Sequence, residues 1–90
     1  MKHEVDIVVL NRQGIHLNSA SQIVKTANKF RADIQLCTGD LTVDAKNVME
    51  ILQLAAGPDT RIHLTATGPD ACDAAEALSL LFRNRFGEEV

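Results

Sequence analysis

The chain predicts an α+β fold, an open-faced β-sandwich in which three helices cover one face of a four-stranded antiparallel sheet in the order β-α-β-β-α-β-α. Three observations lead there. Four short segments alternate apolar and polar residues, the period of a half-buried strand, and three longer segments repeat apolar residues at helical spacing. The alternation leaves one sheet face apolar and the other polar, which helices stacked on the apolar side satisfy.

The first strand spans 4–10, with Val5, Ile7 and Val9 on one side and Glu4, Asp6 and Val8 on the other. Asn11, Arg12, Gln13 and Gly14 break this pattern, and Ala20, Ile23, Val24, Ala27 and Phe30 then predict a helix over 17–30. Ile34 and Leu36 alternate with Asp33, Gln35 and Cys37, and Gly39-Asp40 separates them from Leu41-Thr42-Val43, which spells a tight hairpin. Either Asp44 or Asn47 caps a second helix with the stripe Val48, Ile51, Leu52 and Ala55, closing at Gly57-Pro58. In the fourth strand, 61–67, Ile62, Leu64 and Ala66 point inward while Arg61, His63, Thr65 and Thr67 point out. After Gly68-Pro69-Asp70 the strongest stripe, Ala71, Ala74, Ala75, Leu78, Leu81 and Phe82, makes a third helix that Gly87 ends.

Ninety residues, 46% of them hydrophobic, suit a single domain over 1–90 with one modest core. A net charge of -3, with three Phe and neither Tyr nor Trp, argues against a nucleic-acid surface, which needs basic patches and stacking aromatics. No apolar run approaches the roughly 20 residues that cross a bilayer, and Met1-Lys2-His3-Glu4 leads directly into a strand pattern, so a cytoplasmic protein without membrane insertion is expected. Cys37 and Cys72 form no CxxC pair and read as free, structural thiols. His63, Cys37 and Asp6 share the open sheet face without metal-ligand spacing, so neither a metal nor a cofactor is expected.

Chemistry concentrates in Gly14-Ile15-His16-Leu17-Asn18-Ser19-Ala20. A histidine after a glycine turn and at a helix start offers a nucleophilic nitrogen beside free N–H groups and the positive end of the helix dipole, a setting that favours an anion. Taken alone, His16 reads equally as a plain cap or as a side chain packed under the loop.

The order of elements, the Gly14-Ile15-His16 turn, the hairpin, Ala45-Lys46 before an apolar second helix and the Ala/Leu-rich last helix together resemble the bacterial HPr phosphocarrier family over essentially the whole chain. The family motif has the form Gly-[Ile/Leu]-His-x-Arg-Pro-Ala, and Gly14, Ile15, His16 and Ala20 match it. The resemblance implies that His16 accepts a phosphoryl group from phosphorylated enzyme I and passes it to a sugar-specific transport component or a regulatory protein.

Asn18 stands where the family has arginine, and Ser19 where it has proline. A hydrogen bond to a charged group contributes about 1.5 to 3 kcal/mol against about 0.5 to 1.5 for a neutral one, so losing the arginine costs one to two powers of ten in stabilising the phosphoryl group. Ser19 restores a backbone donor and adds a hydroxyl. The Leu17, Asn18 and Ser19 amides and the Asn18 and Ser19 side chains are therefore candidates to hold phosphate oxygens, with Arg12 as the nearby cation that could replace the arginine. Asn47 occupies the position of a regulatory serine in many relatives and cannot be phosphorylated, so that control is expected to be absent. The resemblance also places Val48, Met49 and Leu52 at a docking patch, Glu50 beside it, and Lys25, Lys29 and Lys46 facing an acidic partner. Two other readings stay open: an interaction module that has lost phosphotransfer, favoured by Asn18 and Asn47, and a turnover enzyme, for which no acid, base and nucleophile converge.

Overall fold

The computed structural model describes residues 1–89; Val90, the last residue of the expected domain, lies outside them. Four strands form one antiparallel sheet: β1 (Lys2–Val8), β2 (Asp33–Thr38), β3 (Leu41–Asp44) and β4 (Arg61–Thr67), in the spatial order β1-β4-β2-β3. β4 is central, pairing on one side with β1 from Lys2↔Thr67 to Val8↔Arg61 and on the other with β2 from Asp33↔Thr67 to Cys37↔His63. The helices are α1 (Leu17–Ala27), α2 (Val48–Gln53) and α3 (Ala71–Arg83), followed by a 3-10 turn at Arg85–Gly87.

The predicted inward faces are the observed ones. Ile7, Val9, Ile34, Leu36, Val43, Ile62, Leu64 and Ala66 are buried beneath Ala20, Ile23 and Ala27 of α1, Ile51 of α2, and Ala71, Ala74, Ala75, Leu78 and Phe82 of α3. Apolar burial at roughly 25 cal/mol per Å² is what holds the helices on the sheet.

Element ends differ from the periodicity. β1 lies two residues earlier than expected, yet Val9 stays fully buried because its N–H and C=O bond to Thr60 and Asp59 across the sheet edge. α1 stops at Ala27, three residues short, where the amides of Lys29 and Phe30 turn back to Thr26 and Ala27. Asn47, not Asp44, caps α2: its side chain accepts from the Glu50 N–H. The Asp44 carboxylate instead accepts from the Lys46 N–H. α2 ends at Gln53 rather than running on toward Gly57, since Ala55 adopts a left-handed φ of 48°. Ala55 is therefore exposed, and Leu54 and Ala56 take the buried places its stripe position suggested. α3 likewise ends at Arg83, before the left-handed residues Arg85 and Phe86.

Candidate functional site

Gly14 shapes the loop that carries the histidine. Its φ is +68°, and a Cβ built there would lie 2.4 Å from the Ala56 carbonyl oxygen. The same carbonyl accepts from the Ile15 N–H at 2.8 Å, so the loop after α2 backs the loop before α1. Only glycine meets both the left-handed geometry and the close approach.

His16 is the N-cap of α1, with extended backbone (φ -129°, ψ -176°). Its Nδ1 accepts the Asn18 N–H at 3.2 Å, and its backbone N–H donates to the Ser19 Oγ at 2.9 Å. The Leu17 and Ser19 amides belong to the N–H groups that a helix leaves without intrahelical carbonyls, and no acidic residue occupies the first turn to compete for them. The imidazole thus presents Nδ1 to the electropositive end of α1.

The other ring nitrogen meets a residue 72 positions away. Nε2 lies 2.7 Å from the Glu88 Oε2, and the Glu88 Oε1 accepts from the Asn11 Nδ2 at 3.1 Å. These bonds, first the one from His16 and then that from Asn11, hold the Glu88 carboxyl below its usual value of 4.5 against the opposing effect of burial. Asn11 is fully buried and also donates to the Gly14 carbonyl at 2.8 Å. Neither Glu88 nor Asn11 was a sequence candidate. A glutamate just past a helix-ending glycine carries no local pattern, and only the return of the chain brings it to His16.

The remaining candidates separate. Asn18 is exposed, with its side chain open to solvent beside His16, while the Ser19 hydroxyl is buried and engaged with the backbone of His16 and Gly14, leaving its amide as the group that can face an anion. Arg12 is exposed and lines a shallow depression with Leu10, Pro58, Asp59, Arg85 and Glu89, and no hydrogen bond or ion pair joins it to His16 among the described residues. Met49 is 68% exposed on α2, whereas Val48 and Leu52 are half-buried against the core. Glu50 accepts from the Asp44 N–H, so its charge is tied to the turn before α2. Lys25 and Lys29 stand free in solvent, but Lys46 donates to the Phe30 carbonyl at 2.9 Å and tethers the end of α1. Cys37 and Cys72 are free thiols; Cys72 is exposed on α3 rather than packed as a small hydrophobe, because position 72 falls on the outer face of that helix. No cluster of His, Cys, Asp and Glu among the described residues suits a metal ion.

A family model for the "PTS HPr component phosphorylation site" matches residues 3–84. The chain belongs to the HPr family. It is 40% identical over 81 residues to phosphocarrier protein HPr of Treponema pallidum, covering 90% of this chain and 92% of that protein. It is 37% identical over 87 residues to phosphocarrier protein HPr of Xylella fastidiosa, covering 97% and 98%. A crystal structure of HPr-C-His from Thermoanaerobacter tengcongensis superposes with a TM-score of 0.94 at 35% identity, covering 98% of this chain and 99% of that one. A phosphocarrier protein HPr from Bacillus anthracis superposes with a TM-score of 0.86 at 34% identity, covering 90% and 96%. The four-stranded sheet with three helices is thus the HPr fold, and the chain is a histidine phosphocarrier of the phosphotransferase system. HPr proteins take phosphate from enzyme I and hand it to sugar-specific components. No helix among the described residues is long and apolar enough to cross a membrane.

Proposed function

We propose that His16 is the phosphoryl acceptor, that Nδ1 is its nucleophilic atom, and that the donor is a phosphohistidine on an enzyme I-like protein in the cytoplasm. The observation that carries this reading is the Asn18 N–H pointing at Nδ1 from the first turn of α1. That amide marks where negative charge is welcome, and a phosphoryl group on Nδ1 receives the Leu17, Asn18 and Ser19 amides in place of a single ring contact. Attack is in line: the Nδ1 lone pair bonds to phosphorus as the donor's N–P bond breaks. Positioning and fixed dipoles supply the catalysis.

No arginine stands at position 18, and the exposed Asn18 side chain offers a neutral donor in its place. Transfer is therefore slower than in an arginine-bearing relative by one to two powers of ten. Met49 and the half-buried Val48 and Leu52, with Lys25 and Lys29, form the surface offered to the donor and to a sugar-specific or regulatory acceptor. At Asn47 there is no hydroxyl to phosphorylate, so control at that position is absent.

The test is intact-protein mass spectrometry after incubation with phosphoenolpyruvate and the cognate enzyme I. One acid-labile phosphoryl group, absent from His16→Ala, is expected. A wild-type protein that gains nothing overturns the assignment and leaves an interaction module.

A further inference from the structure

We propose that Glu88 is a positioning residue for phosphoryl transfer: oriented by Asn11, it holds the His16 ring in the tautomer with its proton on Nε2 and so keeps Nδ1 free to attack. The proposal rests on His16 being the acceptor.

Asn11 sets the polarity of the chain of bonds. Its side chain is fully buried, and Nδ2 gives its two hydrogens to the Gly14 carbonyl at 2.8 Å and the Glu88 Oε1 at 3.1 Å, while Oδ1 has no partner among the described residues. Turning the amide over would set Oδ1 against two acceptors, so the observed orientation is the one that can be satisfied. Glu88 therefore meets a donor on one oxygen and His16 on the other. An ionised carboxylate only accepts, and at 2.7 Å the hydrogen between Oε2 and Nε2 belongs to the imidazole. From the opposite side the Asn18 N–H points at Nδ1, which requires a lone pair there. Two independent contacts, one on each ring nitrogen, select the same tautomer.

The tail is built to deliver this carboxylate. Arg85, Phe86 and Gly87 follow one another in the left-handed region, at φ of 53°, 55° and 80°. Two of the three are not glycine, a conformation that persists only where its surroundings hold it. Phe86 is buried edge-on against Phe82 with ring centroids 4.8 Å apart, and its carbonyl accepts from the Gln22 Nε2 at 3.2 Å. The Glu88 N–H closes the turn on the Arg85 carbonyl at 2.9 Å. α3 and α1 together thus aim the residue after the turn at the head of α1.

During transfer the Nδ1–P bond forms and the donor's N–P bond breaks, with the donor ring leaving as a neutral imidazole. The proton stays on Nε2 throughout. His16 then carries positive ring charge, which the Glu88 carboxylate faces at hydrogen-bond distance. An arginine would act on the phosphoryl oxygens; Glu88 acts on the ring.

The experiment compares wild type, Glu88→Gln and Glu88→Ala by 15N NMR of the neutral His16 side chain and by the rate of phosphorylation from enzyme I. Amide spectra confirm that each variant is folded. In Glu88→Gln, Asn11 compels the new carbonyl to face it, which turns the NH2 group toward Nε2 and drives the proton to Nδ1. The ring should shift toward the Nδ1–H form, and phosphorylation should slow by about a hundredfold, as expected for a wrong tautomer. Glu88→Ala imposes no tautomer and should slow transfer only about tenfold. A shape-filling role predicts the reverse order, with the near-isosteric Gln the milder change. A wild-type ring protonated on Nδ1, an unchanged tautomer in Glu88→Gln, or an unchanged rate in that variant overturns the proposal. The tautomer is read on unphosphorylated protein, so failure of wild type to accept phosphate would sink the His16 assignment without touching this result.

Discussion

His16 serves twice, as the cap of α1 and as the proposed acceptor, and the two roles share one nitrogen. Because Nδ1 accepts the Asn18 N–H, removing the imidazole uncaps the helix as well as deleting the proposed nucleophile. His16→Ala should therefore lose about 1 kcal/mol of stability, read as a lower urea midpoint with an unchanged slope. Gly14 is the other residue on which the site depends. Gly14→Ala should cost about 2 kcal/mol or more, since it combines a positive φ with a Cβ driven into the Ala56 carbonyl; a melting temperature within error of wild type would refute this. Both residues were legible from the linear motif, as a glycine turn before a helix-start histidine. The fate of Ser19 was not. Its hydroxyl turns inward because the unbonded N–H of the cap residue lies within its reach, and side-chain direction at a helix start is settled by such local competition.

At the scale of elements, the ends were the least legible part, and that of α1 has a tertiary cause. α1 is expected to reach Phe30 from periodicity alone, yet the Phe30 carbonyl is taken by Lys46 and the next two amides by Asp70. The Asp70 carboxylate accepts from both the Arg31 and Ala32 N–H groups, at 2.9 and 2.8 Å, tying the start of α3 to the approach to β2. Those bonds, led by the one from Arg31, hold its carboxyl below the usual 3.8. A carboxyl with a lowered folded pKa stabilises the protein above its unfolded value, and the contribution disappears as pH falls through the folded value. Asp70→Asn should therefore be less stable than wild type at pH 7, with the difference shrinking below about pH 4; parallel urea midpoints across that range would contradict the assignment. Asn47 was legible as one of two possible caps, with Asp44, because an Asn directly before the apolar stripe that begins at Val48 suits an N-cap.

Across the whole molecule, the uncovered sheet face carries its own charge pattern. His63 on β4 contacts carboxylates of β1 through both ring nitrogens, Glu4 at 2.7 Å and Asp6 at 2.8 Å. The bond to Glu4 and then that to Asp6 raise the imidazole above its usual 6.5, and the bond to His63 lowers the Glu4 carboxyl. A raised folded pKa means stabilisation that is complete below 6.5 and is lost as pH rises through the folded value. The wild-type urea midpoint should accordingly decline on the alkaline side of pH 6.5 more than that of His63→Gln. The effect is small, since the groups lie in solvent and salt screens them. The amino-acid sequence by itself determined the element order, the inward face of every strand and the place of His16 after the glycine turn at the start of α1, because periodicity and turn chemistry act within a few residues. Tertiary structure alone decided that Glu88 meets His16 and that Lys46 tethers α1. Those contacts join distant parts of the chain in ways that exist only once the helices are packed on the sheet.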